Sequence, residues 1–187
     1  FPICEDRFKS GDLVDLYYLS EVLSDTLHDS SVVVSDSGLV ELILPSNIRF
    51  RKGMRCIHPS SQGSMGYAIP AAVSSSLLSP EKTVLCCVGD GGFMMSSHEI
   101  STAVQYGAKI IILLINNSSY ATIRMHQERD YPGRKIATDL KNPDFVKLCK
   151  AMGADAYRVK GVEDFSQIFV KALKSKKVNV IEIPISI

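Results

Sequence analysis

The chain of 187 residues has no tryptophan, no C-x-x-C spacing and no excess of either charge. Its five cysteines, Cys4, Cys56, Cys86, Cys87 and Cys149, are odd in number, which fits a reduced, cytoplasmic setting better than a disulfide framework. Cys86 and Cys87 sit inside an apolar run and read as small core residues. Lys and Arg total 21 against 20 Asp and Glu, so a net charge of +1 gives no electrostatic argument for nucleic acid. Two small basic groups, Arg49, Arg51, Lys52 and Arg55, and Lys174, Lys176 and Lys177, read as solvated faces. No apolar run approaches about 18 residues, and no signal peptide opens the chain, so no membrane partner is expected. A Gly-Lys-Ser/Thr phosphate loop is missing, and so are internal repeats and low-complexity segments. The chain begins with Phe1 in place of methionine, which leads us to expect a fragment, a processed product or a domain of a longer polypeptide.

What is present is an ordinary globular composition: 45% hydrophobic and 22% charged residues, enough for one domain with a real core. Residues 1–14 read as a linker end. Leu16, Leu19, Leu23 and Leu27 recur at helical spacing within 15–28. The β-branched run 31–36 reads as a buried strand, with Ser37 and Gly38 as its turn. The segment 39–62 has no clear period and is expected to wander over the surface. Residues 63–80 read as a glycine-led helix of small residues, with Pro70 in its first turns or kinking it. A strand at 83–88, a helix from Phe93 to Tyr106 and an almost continuously apolar strand at 109–115 follow. The remainder alternates: helix 120–128, a polar loop with Pro132 and Gly133, helix 143–152, strand 155–159, helix 163–174 and strand 178–183. Strands alternating with helices imply βαβ units, hence an α/β fold with a parallel sheet covered on both faces.

Two strand ends carry unusual chemistry. One is Gly89-Asp90-Gly91-Gly92; the other, reached after one helix and one strand, is Asn116-Asn117. A right-handed crossover puts both on the same edge of a parallel sheet, where ligands of open α/β sheets bind. Glycines opening a helix offer backbone N–H groups to a phosphate, yet Asp90 brings a negative charge to that place. A divalent cation between carboxylate and phosphate resolves the conflict. Oxygen donors from Asp90 and the asparagine amides suit Mg²⁺, which is commonly shared between a carboxylate and ligand phosphates. A dinucleotide fingerprint is excluded because its third glycine position is Met94. Gly-Asp-Gly followed by 24 residues and Asn-Asn is more specific than Gly-Asp-Gly alone, which is often a tight turn.

That spacing resembles the diphosphate-binding motif of thiamine diphosphate (ThDP) enzymes. "GSMGYAIPAAV" (63–73) and "NNSSYATIRMHQERDYPGR" (116–134) extend the likeness to the C-terminal, diphosphate-binding domain of the acetolactate synthase-like group. The group also includes benzoylformate and pyruvate decarboxylases and glyoxylate carboligase. The resemblance covers residues 15 to 183, and 15–187 is taken as the domain. It implies Asp90, Asn117 and the backbone carbonyl of Ser119 as Mg²⁺ ligands. It implies contacts from Gly89 and Tyr120, and backbone contacts from Gly91, Gly92 and Phe93 to the diphosphate. Gly63, Ser64 and Met65 would flank the cofactor: Gly63 through its carbonyl to the aminopyrimidine, Met65 as the apolar wedge that bends it. In "SDSGLVELI", Leu39 and Val40 stand where many relatives carry polar residues that touch the diphosphate, leaving Ser37 and Gly38 for that contact and putting acetolactate synthase activity itself in question.

The resemblance further implies a 2-keto acid decarboxylase or carboligase, with a homo-oligomer (dimer or tetramer) as its assembly. The glutamate that activates the cofactor belongs to a separate pyrimidine-binding domain of the same or a neighbouring subunit. No catalytic residue is therefore expected in this chain, which should be inactive alone. An alternative is the small subunit of a split enzyme such as sulfopyruvate or phosphonopyruvate decarboxylase. A scaffold that has lost its chemistry has no need of a complete metal site, and a flavodoxin-like nucleotide domain does not explain the ligand set. Asn116 reads as a turn-shaping residue, His28 as a helix C-terminal cap, His98 and Glu99 as solvated or capping, and His58 and His126 as ordinary polar residues.

Overall fold

The computed structural model describes residues 14–185. The expected linker end at 1–14 falls almost wholly outside them, as does Cys4. Eight helices and six strands follow one another. They are α1 (Leu16–Thr26), β1 (Val32–Ser35), α2 (Leu39–Asn47), β2 (Arg55–Ile57), α3 (Ala68–Leu78), β3 (Val84–Gly89), α4 (Asp90–Ser96) and α5 (Glu99–Gln105). Then come β4 (Ile110–Asn116), α6 (Ala121–Asp130), α7 (Phe145–Ala151), β5 (Asp155–Arg158), α8 (Val162–Lys174) and β6 (Asn179–Pro184). The strands form one sheet of order β2-β1-β3-β4-β6-β5, parallel at every pairing.

The apolar runs are strands because both faces of the sheet are covered, so successive residues are all buried. Val84, Cys86 and Val88 with Ile110, Ile112 and Leu114 face one cluster, packed by Ala68, Ile69, Phe93, Ile100 and Phe145 of α3, α4, α5 and α7. Leu85, Cys87, Ile111, Leu113 and Ile115 face the other, packed by Leu19, Leu23, Leu44, Phe165 and Phe169 of α1, α2 and α8. Cys86 and Cys87 thus point to opposite sides, both fully buried, and burial pushes both thiols up. No helix among the described residues is long and apolar enough to cross a membrane.

The chain runs outward from β1 to β2, then crosses back to β3 on the other side of β1. The order therefore switches between β1 and β3, where a crevice opens at the carboxyl ends. Two elements forming its far side were missed in the sequence. The segment 39–62 contains α2 and the edge strand β2, registered as Val32↔Arg55, Val33↔Cys56 and Val34↔Ile57. Helix α2 buries only Val40 and Leu44 and carries Pro45 in its last turns, so no periodic apolar stripe marks it. Strand β2 is three residues long and largely exposed.

Other boundaries differ. Residues 63–67 form a loop and the helix begins at Ala68, so Pro70 lies in the first turn, where its missing N–H costs nothing. The single helix expected over 93–106 is two, and the first begins at Asp90 itself. Tight turn bonds from Ile100 N to Ser97 O and from Ser101 N to His98 O occupy the break, at a pair of serines. The cap expected of His28 is supplied by Arg51, which donates to the carbonyls of Ser24 and Leu27 and pairs with Asp29.

Candidate cofactor site

Asp36 directly follows the last residue of β1, and its amide still donates to Cys87 O at 2.9 Å. The Asp36 side chain is fully buried. Its Oδ1 accepts from Ser37 N and its Oδ2 from Gly66 N, both at 2.9 Å. These bonds pull the loop 63–66 against the end of β1. A Cβ added to Gly92 would lie 2.5 Å from Asp36 Oδ2, so glycine at this place lets helix α4 approach the carboxylate. Burial pushes the Asp36 pKa above its ordinary value, and the backbone amides of Gly66, Ser37 and Tyr67 oppose the rise.

Asp90 opens α4 and is 2% exposed. Its Oδ1 accepts from Gly91 N at 3.0 Å and its Oδ2 from Asn142 Nδ2 at 2.6 Å. Burial raises its pKa too, and the Asn142 amide is the first group to oppose the rise. Two Asx turns build the opposing loop. Asn116 Oδ1 accepts from Ser118 N at 3.2 Å, and Asn117 Oδ1 from Ser119 N at 2.9 Å. Ser118 takes a left-handed φ of 53° between them. An antiparallel bridge from Ser119 to Asp139 then pins the loop, through Tyr120 N to Thr138 O and Leu140 N to Ser118 O, each 2.8 Å.

These turns border one cavity of about 380 Å³. Gly63, Met65, Gly89, Asp90, Gly91, Gly92, Asn117, Ser119 and Tyr120 all line it, so most of the residues singled out in the sequence come together. Ser64 is exposed and outside the lining. The Phe93 side chain is core, packed edge-on to Phe145 with ring centroids 5.3 Å apart, which leaves only its backbone for the cavity. His126 and His98 are exposed and away from the lining. His58 reaches Glu41 of the wall through Nδ1 at 2.9 Å without lining the cavity itself.

No Lys or Arg is among the lining residues, whereas Asp90 and Glu41 are. Positive potential at the wall comes from backbone instead. Helices α2 and α6 start there behind Gly38 and Tyr120, and neither has a side-chain cap. Elsewhere Asp15 and Asp144 cap α1 and α7 by accepting from Tyr17 N and Lys147 N, while α3, α5 and α8 also start without a side-chain cap. First-turn amides left free by the sequence are donors for an anion. The carboxylates fit the opposite partner, a hard cation with oxygen ligands. A bound diphosphate with Mg²⁺ meets both requirements, so the residues present fit that pair.

Comparison with known proteins bears on the organic half of that pair, thiamine diphosphate. Residues 36–183 match the family described as thiamine pyrophosphate enzyme, C-terminal TPP binding domain. The chain belongs to this family. The ThDP domain is 36% identical over 146 residues to the acetolactate synthase large subunit of Buchnera aphidicola, covering 78% of this chain and 26% of that protein. It is 33% identical over 177 residues to the acetolactate synthase large subunit of Corynebacterium glutamicum, covering 92% and 28%. Among solved structures it is similar to the thiamine diphosphate-dependent 4-hydroxybenzoylformate decarboxylase of Rhodococcus jostii, with a TM-score of 0.87 and 26% identity over 95% of this chain and 34% of that one. The chain thus spans 26% to 34% of the length of these relatives. Its fold is the open parallel sheet of a ThDP-dependent enzyme.

Residues that the sequence did not flag complete the site. Asp36 read only as the last residue of the strand expected over 31–36. Asn142 precedes Pro143 as an ordinary helix-entry residue, and Glu182 is flanked by apolar residues on both sides in β6. The buried polar residue in an apolar run was a usable signal for Glu182; the others had none without contacts.

Proposed function

We propose that the domain holds the diphosphate–Mg²⁺ half of the active site of a ThDP-dependent 2-keto acid decarboxylase or carboligase. One observation carries this reading: Asp90, Asn117 and Ser119 line a single cavity whose wall has acidic groups, uncapped helix starts and no basic side chain. No lysine or arginine of this chain lines the cavity to neutralise a diphosphate, and a divalent cation would do so. Asp90 and Asn117 supply side-chain oxygens to Mg²⁺, and Ser119 its carbonyl. Gly91 and Gly92 allow close approach of phosphate oxygens, and the free amides at the start of α2 take the part that Leu39 and Val40 side chains do not. Met65 supports the bend of the cofactor, and Gly63 receives the aminopyrimidine through its carbonyl. When bound, ThDP supplies a nucleophilic thiazolium carbon and an acceptor for the electron pair released on loss of CO₂.

The activating glutamate comes, on this reading, from a pyrimidine-binding domain of the same chain or a neighbour. The cavity rim supports this. Helix α6 buries no residue, and Ile123, Met125 and Leu42 are 48%, 50% and 55% exposed. Such a surface is suited to another domain closing over it, within a homo-oligomer or between separate subunits of a split enzyme. Calorimetric titration with ThDP tests the reading. Binding that requires Mg²⁺ is the expected result; equal binding with and without Mg²⁺, or none at all, would sink it. The 187-residue chain by itself should neither decarboxylate nor ligate a 2-keto acid.

A further inference from the structure

A row of buried and half-buried polar side chains runs sideways from Asp90 across the carboxyl edge of the sheet. Asn142 Nδ2 donates to Asp90 Oδ2 at 2.6 Å and to Asn116 Oδ1 at 3.0 Å. Asn116 Nδ2 donates to Glu182 Oε1 at 2.8 Å. Glu182, on β6, has a side chain only 3% exposed, and its Oε2 accepts from Arg158 Nε of β5 at 2.9 Å. Arg158 also reaches Asp144, the N-cap of α7, at 3.3 Å. Asn142 itself lies two residues before that cap, so the end of α7 and the relay share one anchor.

The donor sense of this row is imposed from both ends. A carboxylate only accepts, so Glu182 requires the Asn116 NH₂ to face it. Asn116 Oδ1 must then accept, which turns the Asn142 NH₂ toward it. Both N–H bonds of Asn142 are thereby used, one on each turn of the motif. Neither amide can flip without leaving a buried acceptor facing an acceptor.

We infer that Asn142 is a positioning residue for the metal site, which locks the acidic turn after β3 to the amide turn after β4 and fixes the Asp90 carboxylate for the cation. The inference rests on the functional reading above. In that site Asn116 is not a ligand: its amide is spent on the relay, and the ligand is the next residue, Asn117. Asn142 holds Asp90 Oδ2 and Gly91 N holds Oδ1, so the carboxylate is fixed at both oxygens, each of which keeps a lone pair for the ion. Mg²⁺ tolerates little deviation from octahedral geometry, so a freely rotating carboxylate binds it poorly.

The test uses the full polypeptide encoded by the gene, with Asn142→Ala and the isosteric Asn142→Asp. Three quantities are read: the Mg²⁺ concentration that half-saturates ThDP binding, the EPR line shape of Mn²⁺ in place of Mg²⁺, and metal-free thermal stability. Both variants should raise the half-saturating Mg²⁺ about ten-fold or more. Asn142→Asp should be the worse, because its oxygen faces Asp90 and Asn116 Oδ1. The Mn²⁺ line shape should broaden while the metal-free melting curve moves little. Half-saturation within about two-fold of the parent in both variants overturns the inference while leaving the functional reading intact. An Asn142→Asp protein equal to the parent does the same, since packing alone would then account for the residue. Loss of folding in both variants, seen by circular dichroism, overturns it in favour of a structural role. A parent that shows no Mg²⁺-dependent ThDP binding brings down the functional reading itself.

Discussion

On the reading proposed above, the two walls of the cavity would do comparable work with different materials. The wall after β3 and β4 presents side chains, Asp90 and Asn117 with the asparagines behind them, and would act through these. The wall after β1 acts through backbone. The side chains that open its helix, Leu39 and Val40, are apolar and are followed by the acidic Glu41, and the helix start offers amides with no cap. A cation needs charged or strongly polar oxygens, which backbone alone supplies weakly. An anion is satisfied by N–H groups that every residue carries. The side-chain wall is therefore strictly specified by residue type, and the backbone wall only by conformation.

Mutation can break this contrast at either wall. The largest effect is expected at Asp90. Asp90→Ala removes the charged ligand and should weaken Mg²⁺-dependent ThDP binding about a hundred-fold or more, corresponding to about 3 kcal/mol, measured by calorimetry. Next comes the seam between the walls. Gly92→Ala places a methyl 2.5 Å from Asp36 Oδ2, and should cost about 1–3 kcal/mol in chemical denaturation. Gly89→Ala, whose nearest neighbour would be Val40 Cγ2 at 3.9 Å, should cost about 0.5 kcal/mol or less and so locates the strain at Gly92.

Asp36→Asn keeps the shape of the seam but turns an NH₂ toward one of two backbone amides. The loss of that acceptor should cost about 1–3 kcal/mol. Its pH dependence has a definite sign. Burial raises the Asp36 pKa, so the folded chain holds this proton more tightly than the unfolded chain does. The resulting stabilisation is complete below the ordinary value of 3.8 and is lost as pH rises through the folded value. The stability advantage of the parent over Asp36→Asn should shrink as pH is raised from about 4 to about 7. An advantage that grows over this range would mean that the Gly66 and Ser37 amides outweigh burial.

The smallest effect is expected on the backbone wall. Leu39→Ser should leave ThDP affinity within about two-fold of the parent, since on the proposed reading only the amide of this residue would serve the anion. A large loss would show that the two walls do not differ as described.

Most of the sheet was legible because its strands are buried on both faces and read as unbroken apolar runs, as 84–88 and 110–115 do. The paired turns were legible because an aspartate among glycines and two adjacent asparagines have no better use at strand ends. The far wall was not. Helix α2 buries two residues of nine and contains a proline, and β2 is an exposed edge, so neither leaves a period in the sequence. The α4 start was placed three residues late because glycines argue against a helix when seen alone; here Asp36 and Tyr120 crowd Gly92 and Gly91 and leave room for nothing larger.

By itself the sequence determined what is local: the alternation of strands and helices, the apolar faces, and which residues could ligate a cation or admit a phosphate. Only the tertiary structure decided what depends on residues far apart in the chain. Asp36 meets Gly66 across 30 positions, Asn142 meets Asp90 across 52, and Asn116 meets Glu182 across 66. The physical reason is that a hydrogen bond leaves no periodic trace in either of its partners; it exists only when the sheet brings two strand ends side by side.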